Sequence, residues 1–151
     1  MEVIDLKKDD RFVGQYVHLR NSYVDLLLTS CVGNSETREW LKNEDVEVRG
    51  LVSDDVLTGV AILYMNKGGE IAFFAKEKNR GIGGRLLALI EEVARKRKLD
   101  TIWGWVVDGN LIAQRVFQKS GFVSEGMSER EYGGSIRRGV KYTKCLSERR
   151  T

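Results

Sequence analysis

Apolar residues recur along the chain at two periods, near two and near ~3.6 residues, and the order of these runs predicts a mixed α/β chain. A short β-rich run, "EVIDL" (2–6), precedes Asp9 and Asp10, whose side chains can cap a helix reaching about Arg20. "NSETREWLK" (34–42) predicts a second short helix, with Ser35 near its start, Glu36 and Glu39 placing negative charge in its first turns, and Trp40 and Leu41 as apolar anchor. "VEVRGLVS" and "VLTGVAILYM" flank the pair Asp54–Asp55 and read as a hairpin. "NKGG" (66–69) then turns the chain into a third antiparallel strand, "EIAFFAK".

The clearest helix follows. Ile82, Leu86, Ile90, Val93 and Arg97 repeat at helical spacing, while Glu91–Arg95 and Glu92–Lys96 form four-apart ion pairs on the wet side. "TIWGWVV" (101–107) reads as a strand and "NLIAQRVFQKS" (110–120) as a helix stopped by Gly121, and two strands joined around "YGGS" complete the order. The expected fold class is α/β, in the α+β sense: a mostly antiparallel sheet of about seven strands with about four helices, and one strand–helix–strand crossover embedded in it.

With 151 residues, of which 42% are hydrophobic, residues 1–151 are expected to form one domain with a real core. Lys plus Arg number 25 against 22 Asp plus Glu, a formal charge of +3 and a pI near 8.9. That excess is far below the basicity of a dedicated nucleic-acid binder and points to a local anion site, with no nucleic-acid partner expected. Cys31 and Cys145 lack metal spacing and the opening "MEVIDLKKDD" has no apolar signal core, so we expect free thiols, no metal and a reducing cytoplasm. No apolar run approaches the roughly 20 residues that span a bilayer, so no membrane partner is expected.

The anion site falls at "EKNRGIGGRLL" (77–87). Glycines 81, 83 and 84 strip side chains from the turn into the helix, so the first free N–H groups can face a phosphate with the positive end of the helix dipole behind them. Lys78, Arg80 and Arg85 add charge. A P-loop would close on Gly-Lys-Ser or Gly-Lys-Thr, and a dinucleotide fingerprint would want Gly or Ala where Leu86 stands, so both readings fail. Taken alone, Gly-x-Gly serves equally well as a plain tight turn.

Its surroundings decide otherwise. "KNRGIG" (78–83) resembles the acetyl-coenzyme A loop of the GNAT superfamily of N-acetyltransferases, Arg/Gln-x-x-Gly-x-Gly/Ala, with Lys78 in place of the usual Arg or Gln. The preceding "EIAFFA" and the downstream "NLIAQRVFQKSGF" match the same family in register, so the resemblance covers residues 70–122. "HLRNSYVDLLLTSCVGNSETREWL" (18–41) is also similar to the amino-terminal part of GNAT enzymes that acetylate amino sugars.

The resemblance implies a GNAT-like sheet, acetyl-CoA as cosubstrate and a coenzyme A site made of Phe73, Phe74, Ala75, Lys78, Asn79, Arg80, Gly81, Ile82, Gly83, Gly84, Arg85, Asn110, Ala113 and Phe117. The pyrophosphate would lie on the N–H groups of residues 79–84 and the pantetheine arm beside "FFA" (73–75). Asn110 also reads as an N-cap for the helix beginning at Leu111.

Acetyl transfer to an amine requires removal of the ammonium proton, stabilisation of the carbonyl oxygen as it turns negative, and departure of a thiolate. Glu70 stands where several GNAT enzymes place a general base; Asp108 and Glu77 are weaker candidates, and a backbone N–H of "FFA" is the expected oxyanion donor. Where many relatives carry a tyrosine acid this chain has Phe117, expected in the core, which leaves water, Tyr132 or Tyr142 to protonate the thiolate. Trp103 and Trp105 share one strand face and are read as core rather than acceptor wall; His18 is left unassigned, a lone histidine being more often structural than catalytic, and Cys31 is read as non-nucleophilic.

The expected function is direct acetyl transfer in a ternary complex to a small-molecule amine, a nucleotide-linked amino sugar ahead of a protein amino group. A non-catalytic acyl-CoA sensor and an unrelated nucleotide-binding module are the alternatives, and a homodimer is open.

Overall fold

In the computed structural model, which describes residues 1–77 and 81–147, seven strands form one sheet in the order β1-β2-β3-β4-β5-β7-β6. They are β1 Glu2–Asp5, β2 Val46–Ser53, β3 Val56–Tyr64, β4 Glu70–Ala75, β5 Thr101–Val107, β6 Val123–Tyr132 and β7 Ser135–Cys145. The helices are α1 Val13–Asn21, α2 Val24–Leu27, α3 Asn34–Trp40, α4 Ile82–Lys96 and α5 Leu111–Lys119. Every strand pairing is antiparallel except β4 with β5.

Local chemistry sets these bounds. Asp54 and Asp55 both take positive φ, 49° and 62°, the twist a two-residue hairpin turn needs and one that Asp tolerates. Gly69, at φ +84°, has a second reason to be glycine: a Cβ there would stand 2.6 Å from the Thr101 carbonyl oxygen. That approach brings the start of β4 against β5.

The sheet carries a core on each face. On the back, Ile71, Ile102, Val106 and Tyr142 pack under α4 and α5 through Leu86, Leu87, Ile90 and Phe117. On the front, Val48, Val60, Ile62 and Phe74 pack under Tyr16, Leu19 and Leu41 from the α1–α3 side. Phe73 and Phe74 divide between the two faces as strand alternation requires.

Three expectations shift. The first helix begins as a 3-10 turn, Asp10–Phe12, capped by Asp9 accepting from the Arg11 N–H, and becomes α-helical only at Val13. α3 is capped by Gly33, whose N–H donates to Glu36 at 3.3 Å, so Ser35 lies inside the helix. α2 raises the helices to five among the described residues; with four residues and no side-chain cap it has no periodic signal to read.

Candidate active site

β4 and β5 touch only at their beginnings. Glu70 pairs with Trp103, and the Trp103 N–H donates to the Gly69 carbonyl at 3.1 Å. Beyond that bridge the two parallel strands diverge. Lys76 donates its N–H to Thr58 on β3 at 2.8 Å, which fixes the phase of β4: even-numbered backbone groups face β3 and those of Phe73 and Ala75 face the gap. At the far end of the gap the Tyr23 hydroxyl donates to the Ala75 carbonyl. Burial pushes that hydroxyl's pKa up, against the smaller effect of its bond to Ala75.

On the back of the gap lies a cleft of about 350 Å³, lined by Phe73, Phe74, Ala75, Gly81, Ile82, Gly83, Gly84, Asn110 and Ala113 among the expected residues. Its end wall is the start of α4. Gly81 caps that helix at φ +72° with no side-chain bond, a conformation glycine adopts without strain. The Arg85 N–H donates to the Gly81 carbonyl at 3.4 Å, so the N–H groups of residues 82, 83 and 84 have no partner within the helix.

A Cβ on Gly83 would crowd Phe73 and Val116 at 3.1 and 3.2 Å, whereas one on Gly84 would meet nothing within 4 Å. Across the cleft the Asn110 side chain accepts from the Ala113 N–H at 3.3 Å and caps α5. Amides with no partner within the helix, a glycine cradle and a strand edge that no neighbouring strand covers, together in one cleft, fit a long phosphorylated thioester.

A narrower cleft of about 80 Å³ continues forward, sharing Leu26, Leu27, Phe73, Asn110 and Ala113 and adding Glu70, Trp105, Phe117 and Arg130. Here the Glu70 Oε2 accepts from Arg130 Nη2 at 3.0 Å, while Oε1 takes no hydrogen bond among the described residues. Tyr64, facing Glu70 across β3–β4, is half-buried, and its desolvation pushes its hydroxyl pKa up; Arg20 opposes that and the Glu70 charge adds to it.

Not every expected residue arrives. Arg85 is exposed and lines neither cleft, and among the described residues its guanidinium approaches the Met1 sulfur, at 3.9 Å. Lys78, Asn79 and Arg80 lie outside the described residues. Phe117 reaches the narrow cleft but is 2% exposed, stacked on Tyr142 at 5.3 Å, with the tip of its ring in the place of the Cβ that Gly104 lacks. A para-hydroxyl would have no room there. The Tyr142 hydroxyl is held between Gln114 and Gln118, and that of Tyr132 donates to the Thr29 carbonyl at 3.0 Å; neither residue lines a cleft. Glu77 does line the larger cleft, whereas Asp108 is exposed and lines neither. His18 and Cys31 are exposed.

Trp103 and Trp105 correct an expectation: they are half-exposed on the front face, with Nε1 groups donating to the Lys67 carbonyl and Ser128 Oγ. The four-residue α2 meets β5 there without enclosing the two indoles, so an apolar strand pattern ends as a half-exposed aromatic floor. Sequence reading missed Tyr23, Leu26, Leu27, Ile112, Arg115, Val116, Lys119 and Arg130. For α5 the signal was present, because Ile112, Arg115, Val116 and Lys119 share a helical face with Ala113.

The acetyltransferase (GNAT) family model matches residues 9–122. The chain therefore belongs to that family, acetyl-CoA-dependent N-acetyltransferases. Among solved structures it is similar to the ribosomal-protein-alanine N-acetyltransferase of Brucella melitensis, at 18% identity over 97% of this chain and 100% of that one, with a TM-score of 0.83. It is also similar to Salmonella typhimurium YncA with its cofactor acetyl-CoA, at 14% identity, 99% and 96% coverage and a TM-score of 0.85. The Salmonella typhimurium acetyl transferase that modifies the N-terminal serine of ribosomal protein L7/L12 follows at 15% identity, 96% and 94% coverage and a TM-score of 0.76. At these identities the likeness bears on fold alone. No curated protein matches the chain by sequence.

Proposed function

We propose that the enzyme acetylates the primary amine of a small molecule, with a nucleotide-linked amino sugar as the leading acceptor, by direct transfer in a ternary complex. One observation carries this: the β4–β5 gap joins a glycine-and-amide cleft on the back to a carboxylate on the front. Coenzyme A would lie in the larger cleft, its pyrophosphate on the N–H groups of residues 82–84 and its pantetheine arm along the gap-facing edge of β4.

The acetyl group would then enter the narrow cleft. Glu70 takes the ammonium proton, directly or through water, and the freed lone pair attacks the thioester carbonyl. The Phe73 N–H donates to the carbonyl oxygen as it becomes negative, an interaction worth about 3 kcal/mol in other acyl-transfer sites. With Phe117 in the acid's place, water or the Tyr23 hydroxyl at the cleft wall protonates the departing thiolate, whose ordinary pKa of about 8.5 makes it a tolerable leaving group. The exposed, free thiol of Cys31 suits a reducing compartment, and there we place the reaction.

Acetylation of a protein amino terminus is the second reading, supported by the ribosomal-protein acetyltransferases among the structural relatives. Thiol release from acetyl-CoA, corrected for hydrolysis, across amino sugars, nucleotide-linked amino sugars, amino acids, polyamines and ribosomal amino-terminal peptides separates the two. Turnover on the sugars and none on the peptides is expected; the reverse pattern overturns the small-molecule assignment.

A further inference from the structure

The front face of β4, β5, β7 and β6 presents four charged side chains, and three are cations. Strand alternation and register place Glu70, Trp103, Trp105, Lys141, Arg137 and Arg130 on that face, with Arg130 directly opposite Arg137 and Trp105 directly opposite Lys141. Like charges directly opposite each other destabilise a hairpin, so an Arg–Arg pair beside a cleft calls for a reason. Glu70 supplies half of one, through its bond to Arg130 at 3.0 Å. Arg137 is half-buried and Lys141 lies 4.7 Å above the Trp103 ring, yet neither pairs with a carboxylate among the described residues.

The floor is equally specific. Arg130 lies 5.5 Å from the Trp103 ring and 4.8 Å from the Trp105 ring, and the Trp105 ring fills the place of a Cβ on Gly139, between Arg137 and Lys141. The guanidinium thus lies over both indoles while it holds Glu70. Glu129 and Glu131, which could neutralise the patch, alternate to the opposite face of β6.

We propose that the acceptor carries an oxyanion group, carboxylate or phosphate, besides its amine, and that Arg130, Arg137 and Lys141 seat that group while Glu70 faces the amine. This deepens the proposed function and rests on it. Three cations on an aromatic floor favour a multiply charged oxyanion, and guanidinium groups bind such oxygens in pairs. A nucleotide-linked amino sugar, with its diphosphate and a base to stack, has this chemistry.

The test compares matched acceptors: glucosamine with glucosamine 6-phosphate for the phosphate arm, and amino acids with their amides for the carboxylate arm. In at least one arm the anionic member should have kcat/KM about tenfold above its neutral partner, the gain of one charge-assisted contact. Arg137→Gln and Lys141→Gln should each raise KM for that anionic member about tenfold while leaving kcat and the neutral partner unchanged, and Arg137→Lys should restore most of the preference. Arg137→Gln also relieves the like-charge pair, so its melting temperature should not fall.

Neutral acceptors that match or outperform the anionic ones in both arms overturn the proposal, as does an Arg137→Gln that slows both members alike. If acetyl-CoA binds but no amine is acetylated, the transfer reading fails instead. Inorganic phosphate titrated against tryptophan fluorescence, with coenzyme A saturating, then decides the seat. A response lost in Arg137→Gln supports it, and no response overturns it.

Discussion

The two mouths of the β4–β5 gap are built from different materials. The back mouth is backbone: amides of residues 82–84, glycines without side chains, and the unpaired edge of β4. The front mouth is side chains: a carboxylate, three cations and two indoles drawn from β4, β5, β6 and β7. A site made of backbone constrains its sequence through what must be missing, so it binds one constant ligand and leaves a compact glycine pattern. A site made of side chains can be altered one residue at a time, which suits the half of a transferase that selects the acceptor.

The comparison breaks first at Glu70. Glu70→Gln keeps size and fold but removes the base, so the acetylation rate should fall about 10²- to 10⁴-fold, most severely at low pH where free amine is scarce. Acetyl-CoA affinity, owned by the other mouth, should hardly change; a loss of affinity in this variant would show that the two mouths are not separable.

Phe117 tests the wall between them. Phe117→Ala should cost about 3–5 kcal/mol by chemical denaturation, since the ring is buried against Tyr142, Phe122 and Gly104. Phe117→Tyr should cost about 1–3 kcal/mol by overpacking against β5. A Tyr variant as stable as the parent would place the ring elsewhere.

The smallest effect lies far from both mouths. Glu91 on α4 meets Lys144 on β7 at 2.6 Å and Arg95 at 3.1 Å. Burial pushes its carboxyl up, but the bonds and charges of Lys144 and Arg95 together outweigh that and hold its pKa below the ordinary glutamate value. A carboxyl depressed in the folded state adds stability above its unfolded pKa and loses it as pH falls through the lower folded value. The stability deficit of Glu91→Gln should therefore be present at neutral pH and shrink below about pH 4, as read from urea midpoints at each pH.

What the chain disclosed followed the same division. Hairpin turns at Asp54–Asp55 and Gly133–Gly134, the α4 stripe and the α5 cap at Asn110 are local events, legible from neighbours in sequence. α2 was not, because four residues hold no period. Glu70 and Arg130 stand 60 residues apart and Tyr23 and Ala75 52 apart, so only the assembled sheet brings each pair together. Trp103 and Trp105 were read as core because alternation shows that two residues share a face but not whether a helix covers it. Even the Glu91–Arg95 pair, legible as a helix-surface contact, proved to tie α4 to β7 through Lys144.

The α4 amides are the proposed anion seat, and calorimetric titration of acetyl-CoA into Gly84→Asp examines that seat alone. The position has open space for a side chain and lies in the first turn of α4, where a negative charge stabilises a helix by about 0.3–1 kcal/mol. The variant without ligand should melt no lower than the parent. Its affinity for acetyl-CoA should nevertheless drop at least ~10- to 100-fold, because the new carboxylate occupies the ground of the phosphates. A well-folded Gly84→Asp that binds acetyl-CoA as tightly as the parent would contradict the account.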